Sequence, residues 1–254
     1  MKYWFFDLDG TLADTDGDIR ASWKAAMADL GVECPTFDED FVAGPPLEEM
    51  AKRLLPDVYT DELGVRLRER FGHHYDNDGF PNTFEYPGIL DAVRALKTSG
   101  ASVFIATNKR YAGACAMAEK FGWNEVFEKL YAGDMYDGDP AIGRMNKTRL
   151  LAFAMDEIGA GAEECVMVGD TINDFSAAKA NGIYSVGVKW GYGGEGPNKH
   201  VCKDIFLFIF FRLFKLIIII KFIKQLFPSL TCIFICLIFI LIFGLSKNVI
   251  KDFI

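Results

Sequence analysis

The sequence predicts an α/β protein built on a doubly wound parallel sheet, with a block of helices inserted after the first strand. Three observations lead there. Apolar runs of four to seven residues alternate with helical segments of about ten to fifteen, the pattern of βαβ units. Most of the runs are nearly continuous in apolar residues, as strands buried on both faces require; residues 126–132, with Glu128 and Lys129, are the exception. Residues 14–82 carry helical spacing without a convincing strand, and they separate the first strand from all the others.

The first strand is Tyr3–Phe6, which runs straight into Asp7, Leu8, Asp9, Gly10 and Thr11. Ala13–Leu30 has apolar residues at Ile19, Trp23, Ala26, Met27 and Leu30, a helical spacing, with Asp16 or Asp18 expected as N-cap and Gly31 as the stop. Further helices are expected around 37–42, 47–55 and 60–75, broken by Gly44-Pro45-Pro46 and by Pro56. Residues 81–87 read as a return linker, followed by a helix over 89–98 that ends before Gly100. The second strand is Ala101–Ala106, ending at Thr107-Asn108-Lys109, and the helix over 111–121 stops at Gly122. A third strand over 126–132, a loop over 134–144 and a helix from Lys147 to Ile158 come next. Cys165–Val168 is a fourth strand ending at Gly169-Asp170, Asp174–Ala180 a helix stopped by Gly182, and Ser185–Val188 a fifth strand.

Composition bounds the partners. The net charge of -8 and pI near 5.0 argue against a nucleic-acid partner, which normally leaves a basic stripe. A negatively charged substrate must then be drawn in locally, by a metal and a few cations. The six cysteines form no CxxC pair, so neither a disulfide framework nor a zinc site is indicated. A strand beginning at Tyr3 leaves no room for a signal peptide after Met1, and a cytoplasmic body is expected.

The chemistry concentrates at strand ends. In a parallel sheet ligands sit beyond the carboxyl ends of the strands, so Asp7 is expected to face a crevice, with Gly10 allowing a sharp turn. Asp7 and Asp9 repel each other unless a cation lies between them. The pair suggests a bound metal, one nucleophilic carboxylate and one acid/base carboxylate. Thr107 offers a hydroxyl, and the Thr107 and Asn108 amides lie where a helix starts, a good place for phosphate oxygens. Asp170 and Asp174 are four apart across a strand-to-helix turn, so both can face the same crevice. Each element taken singly also fits a structural role: a DxD as an Asx turn, Asp174 as a helix cap, Lys147 as a solvated lysine. Adjacent His73 and His74 point about 100° apart on a helix, which disfavours joint metal binding.

Together, FDLDGTLAD, VFIATNK, a helix-leading Lys147 and VGDTINDF, with Lys147 placed 23 residues before Asp170, resemble the four motifs of the haloacid dehalogenase superfamily. The resemblance covers Met1 to about Asp204. More narrowly it points to the phosphoglycolate phosphatase-like branch, in which residues 1–13 and 83–204 form the core and residues 14–82 a helical cap. Gly44, Pro45, Pro46 and Leu47 match that branch's substrate-facing cap loop. The resemblance implies a Mg²⁺-dependent phosphatase acting on a small phosphorylated metabolite, with 2-phosphoglycolate the leading candidate. Asp7 would be the nucleophile and Asp9 the acid/base. Mg²⁺ would be held by Asp7, the Asp9 carbonyl and Asp170. Thr107, Asn108 and Lys147 would bind phosphate, with Asp174 orienting from behind; Lys109, beside Thr107, competes with Lys147 for that role. A 5'-nucleotidase, a phosphosugar mutase on the same fold and a non-catalytic phospho-ligand module are the alternatives.

Residues 205–254 have a different composition: 33 of 50 are Ile, Phe or Leu, none is Ala, and six Lys or Arg face one acid. Leu226–Leu245 is uncharged for 20 residues, enough to span a bilayer, and the four basic residues before it would keep the body in the cytoplasm. The segment is a membrane tail anchor or the out-of-frame translation of AT-rich DNA; a membrane is a partner only in the first case. Both predict a poorly completed last sheet element and exposed apolar surface. The full chain is therefore expected to associate or to need detergent, and its elution as a detergent-free soluble monomer would refute that.

Overall fold

A computed structural model of the protein describes residues 1–45 and 47–193. Pro46 and the hydrophobic segment 205–254 lie outside the described residues. Among the described residues no helix is long and apolar enough to cross a membrane.

The central strand is β1 (Tyr3–Phe6), with Phe5 and Phe6 fully buried. It is followed by β2 (Ala13–Asp14), then by helices α1 (Asp16–Asp29), α2 (Phe37–Asp40), α3 (Leu47–Leu54) and α4 (Asp61–Asn77). The chain returns through β3 (Phe84–Glu85) to α5 (Ile89–Thr98), β4 (Ser102–Thr107), α6 (Tyr111–Lys120) and β5 (Lys129–Ala132). Among the described residues it continues with α7 (Lys147–Glu157), β6 (Cys165–Gly169), α8 (Ile172–Ala180) and β7 (Tyr184–Gly187). The sheet runs β5-β4-β1-β6-β7, and every pairing in it is parallel. The chain winds outward from β1 to β5, then crosses back to start again at β6. This puts a topological switch point beside β1, where a crevice opens at the strand ends.

Packing explains why the strand stays buried. Phe5 stacks on Phe104 at 5.3 Å between ring centroids and joins Tyr131, Leu150, Leu151, Met167 and Ala177 in one cluster. Phe6 meets Phe127 edge-on at 5.9 Å. At about 1.5–3 kcal/mol for each large apolar side chain removed from water, these contacts anchor the strand whose end carries Asp7.

Helices α1–α4 bury a cluster of their own, with Trp23, Met27, Phe37, Phe41, Met50, Leu54 and Leu67 at its centre. Two crossings join them to the sheet. Strands β2 and β3 pair antiparallel, Ala13 opposite Glu85 and Asp14 opposite Phe84. Two residues each are too few for any periodicity, so this ribbon was not visible in the sequence. Asp18 also differs from expectation: it lies inside α1 with Thr15 at the N-cap position, and Asp16 opens the helix. Buried at 4% exposure, Asp18 accepts from the Asn82 amide at 3.0 Å, from Asn82 Nδ2 at 3.1 Å and from Thr83 Oγ1 at 2.6 Å. It ties the outgoing chain to the returning chain.

The bounds of four strands move by one to three residues. Residues 126 and 127, expected in the third strand, donate back to Trp123 O in the turn around Trp123–Glu125, Glu128 reaches Val103 O of β4, and β5 begins at Lys129.

Asp18→Ala removes the acceptor of three donors next to the crossings. It should lower unfolding free energy by about 1.5–3 kcal/mol, read as a lower denaturant midpoint at unchanged slope; an unchanged midpoint would show that water replaces the carboxylate fully.

Candidate active site

The crevice is built where β1, β4 and β6 end. The Asp7 amide still follows the sheet, donating to Val168 O at 2.8 Å, and its side chain leaves the core at the strand's end. Asp7 Oδ1 accepts from the Leu8 amide at 2.8 Å and pairs with Lys147 Nζ at 2.8 Å. Among the described residues Oδ2 has no partner and stays available. The chain then winds tightly, with Leu8 O accepting from the amides of Thr11, Leu12 and Ala13. Gly10 sits at φ +73°, and a Cβ there would overlap the Asp170 carboxylate, so only glycine lets the backbone pass.

Lys147 occupies the centre. It enters from the first turn of α7, whose N-cap Asn146 accepts from the Arg149 amide at 2.9 Å. Only 4% exposed, its ammonium donates to Ala106 O at 2.7 Å and lies beside two carboxylate oxygens, Asp7 Oδ1 at 2.8 Å and Asp174 Oδ1 at 3.0 Å. The Asp174 contact is an ion pair without good hydrogen-bond alignment. Burial pushes the ammonium pKa down, but Asp174 and Asp7 outweigh it and the net shift is upward, so Lys147 is a fixed cation.

Asp174 is fully buried and does two jobs at once. Its Oδ2 accepts from the Thr171 amide at 3.1 Å and from Thr171 Oγ1 at 2.9 Å, capping α8, while Oδ1 faces Lys147. The cap and the charge partner are one residue. Asp170, 6% exposed, accepts from Thr11 Oγ1 at 3.3 Å and from the Tyr192 amide at 2.6 Å. Burial raises its pKa to about 6. Burial and the nearby Asp174 charge raise Asp7 as well, against the opposing pull of Lys147.

Asp7, Asp170 and Asp174 each offer an oxygen, and these oxygens lie within 4.8 Å of one another. With Asp9 included, four carboxylates face two ammonium groups, Lys109 and Lys147, an excess of two negative charges when all are ionised. Oxygen donors with that excess fit a hard divalent cation.

The remaining residues fall nearby. Thr107 is buried, and its hydroxyl accepts from the Lys109 amide at 3.1 Å; Asn108 is exposed. Lys109, weighed against Lys147 for one role, takes a different place: its Nζ lies 2.7 Å from Asp9 Oδ1 and donates to Tyr75 OH on α4. The helical insertion therefore reaches the site. It does so again where Asp76 pairs with Arg110 at 2.7 Å, and where a Cβ on Gly44 would come within 3.9 Å of Thr171. Pro45 is half-buried and Leu47 packs into the insertion's own cluster. His74 pairs with Asp29 at 2.9 Å and His73 is exposed, remote from any metal role.

Tyr192 escaped the sequence reading. Its hydroxyl meets Asp14 Oδ1 at 3.0 Å, the Thr15 amide at 2.5 Å and the Asp16 amide at 2.9 Å, while its own amide holds Asp170. The available signal was the flanking Gly191 and Gly193, where any Cβ would overlap Asp170.

Residues 4–188 match the haloacid dehalogenase-like hydrolase family. The chain belongs to that family. A 5'-nucleotidase of Pseudomonas aeruginosa is 31% identical over 210 residues, spanning 79% of this chain and 90% of the relative. A phosphoglycolate phosphatase of Agrobacterium fabrum is 32% identical over 195 residues, 74% of this chain and 80% of the relative. The crystal structure of a predicted phosphoglycolate phosphatase from Haemophilus somnus shares the fold at TM-score 0.69 and 20% identity, covering 84% of this chain and 97% of that one. This haloacid dehalogenase-like hydrolase is a phosphoric monoester hydrolase.

Lys147→Met leaves two buried carboxylates without their cation. Asp7 has a folded pKa above its unfolded one, so its neutral form stabilises the fold below the unfolded value and that contribution fades as pH rises through the folded value. Loss of Lys147 raises the folded pKa further. In metal-free buffer the variant should lose about 3–5 kcal/mol near pH 8 and clearly less near pH 5. Equal deficits at both pH values, measured by denaturant titration, would contradict this.

Proposed function

We propose that the protein is a Mg²⁺-dependent phosphatase that hydrolyses a small phosphomonoester through an aspartyl phosphate on Asp7, with 2-phosphoglycolate the leading substrate. The observation that carries the reading is the buried meeting of Asp7 with Lys147, Asp174 and Asp170 at the end of β1. Asp7, the Asp9 carbonyl and Asp170 would hold the ion, which when bound lowers the repulsion between an anionic nucleophile and an anionic phosphate.

Asp7 Oδ2 is the unpartnered oxygen and attacks phosphorus in line. Lys147, held between two carboxylates and a carbonyl, keeps Asp7 oriented and supplies positive charge beside it without having to move. The Thr107 hydroxyl and the amides of Thr107 and Asn108 take phosphate oxygens at the end of β4. Asp9 protonates the leaving oxygen and then takes a proton from the water that cleaves the acyl phosphate. That water is the second substrate, and all others must be kept out while phosphate is transferred.

Exclusion falls to the helical insertion acting as a cap. Residues 14–82 would move on two hinges, Asp14–Gly17 and residues 81–87, with Gly44–Leu47 facing the substrate. The contacts from Tyr75 to Lys109 and from Asp76 to Arg110 support a closed arrangement. A 5'-nucleotide is the second reading, favoured by the likeness to the Pseudomonas aeruginosa 5'-nucleotidase.

The full chain assayed for phosphate release should turn over 2-phosphoglycolate with Mg²⁺ and lose it with chelator. Asp7→Asn should lower kcat by about a thousandfold or more, while Mg²⁺-dependent turnover persisting in that variant would overturn the mechanism. A higher kcat/KM for nucleoside 5'-monophosphates would select the second reading. Because the ion displaces protons from Asp170 and Asp7, Mg²⁺ affinity should rise between pH 6 and pH 8, by up to about tenfold per unit for each proton released. Calorimetric titration giving a flat profile would remove these acids from the binding site.

A further inference from the structure

Lys109 is a buried cation to which the hydrolytic steps give no role. Its side chain is 6% exposed, and it leaves the chain two residues beyond the end of β4. The ammonium sits on the Asp9 side of the crevice, opposite in function to Lys147 on the Asp7 side. It donates to Asp9 Oδ1 at 2.7 Å and to the hydroxyl of Tyr75, over whose ring it also lies at 4.3 Å from the centroid. Tyr75 is 4% exposed, and burial raises its pKa well above the ordinary value, so the phenol stays protonated. Since the hydroxyl accepts from Lys109, its own proton remains free to donate. An ammonium and a phenol O–H converging beside one carboxylate are a receptor for an anion.

The position fixes which anion. A leaving oxygen hydrogen-bonded to Asp9 Oδ1, the oxygen that Lys109 holds, lies about 2.7 Å from it and so within about 5.5 Å of the Lys109 ammonium. A carboxylate one carbon removed from the ester oxygen spans such a gap. The phosphate itself is engaged at Asp7 and Lys147, on the other side. We infer that Lys109 and Tyr75 form a specificity subsite for a carboxylate carried by the leaving alcohol, which selects phosphomonoesters of small 2-hydroxy acids. The inference rests on the phosphatase reading above and adds the residues that choose the substrate.

Binding is then an exchange of hydrogen bonds. Lys109 turns from Asp9 Oδ1 to the substrate carboxylate, Tyr75 donates to the same group, and Asp9 is released to face the ester oxygen. Because Lys109 belongs to the sheet side and Tyr75 to α4, the substrate carboxylate bridges the two and favours closure. A phosphoester whose alcohol is uncharged leaves Lys109 on Asp9. The subsite therefore discriminates through the acid/base as well as through binding.

The experiment compares kcat/KM for 2-phosphoglycolate with that for ethyl phosphate, the matched ester lacking the carboxylate, in the full chain with Mg²⁺. Lys109→Met should reduce the preference for 2-phosphoglycolate about thirtyfold, by raising KM for 2-phosphoglycolate and by raising kcat for ethyl phosphate, since Asp9 is no longer held, and should weaken inhibition by glycolate more than inhibition by inorganic phosphate. Lys109→Arg should restore part of the preference, and Tyr75→Phe should reduce it about fivefold. An unchanged ratio in Lys109→Met, or a wild-type protein that hydrolyses both esters equally well, would overturn the subsite while leaving the phosphatase reading intact. Absence of Mg²⁺-dependent turnover of either ester would overturn both.

Discussion

The burial of Lys147 among carboxylates is the constraint from which the rest of the site follows. An ammonium removed from water at 4% exposure persists only when its charge is compensated, and here two carboxylates and a backbone carbonyl surround it. Those groups come from three places far apart in sequence: the end of β1, the end of β4 and the first turn of α8. The lysine thus staples the strand ends that form the crevice, and the cluster keeps more negative than positive charge. A site with that imbalance is poised to take a cation and a charged substrate together.

The two lysines of the crevice behave differently because their surroundings differ. Lys147 is saturated by two carboxylates and a carbonyl and has no reason to move. Lys109 holds one carboxylate and one neutral phenol, a set that another anion can displace. Fixed charge beside Asp7 and exchangeable charge beside Asp9 suit the proposed reaction, in which one end of the substrate is always phosphate and the other end varies.

The helical insertion is coupled to this chemistry through short, local links. Asp18 holds the returning chain at Asn82 and Thr83, and the β2–β3 ribbon pairs the two crossings. Tyr192 touches Asp14, Thr15 and Asp16 with its hydroxyl and Asp170 with its amide, so the start of α1 and a carboxylate of the acidic cluster share one residue. Glycines at 10, 191 and 193 are required by the same crowding, since a Cβ at any of them would overlap Asp170.

The sequence by itself determined the sheet, the inserted helices and the acidic motifs. Apolar runs, helical spacing and strand-end acids are local signals, written within ten residues or so of where they act. Asp7, Asp170 and Asp174 were legible for that reason, and Lys147 became so through its spacing from Asp170. What the tertiary structure decided are the pairings made across the fold. Lys109 beside Asp9 and Tyr75, Tyr192 across the first crossing, and Asp18 as a tie and not a cap join residues 34 to 178 positions apart. No periodicity encodes such contacts. They arise because burying β1 on both faces forces its neighbours' ends together, and the polar groups at those ends must then find partners or stay in water.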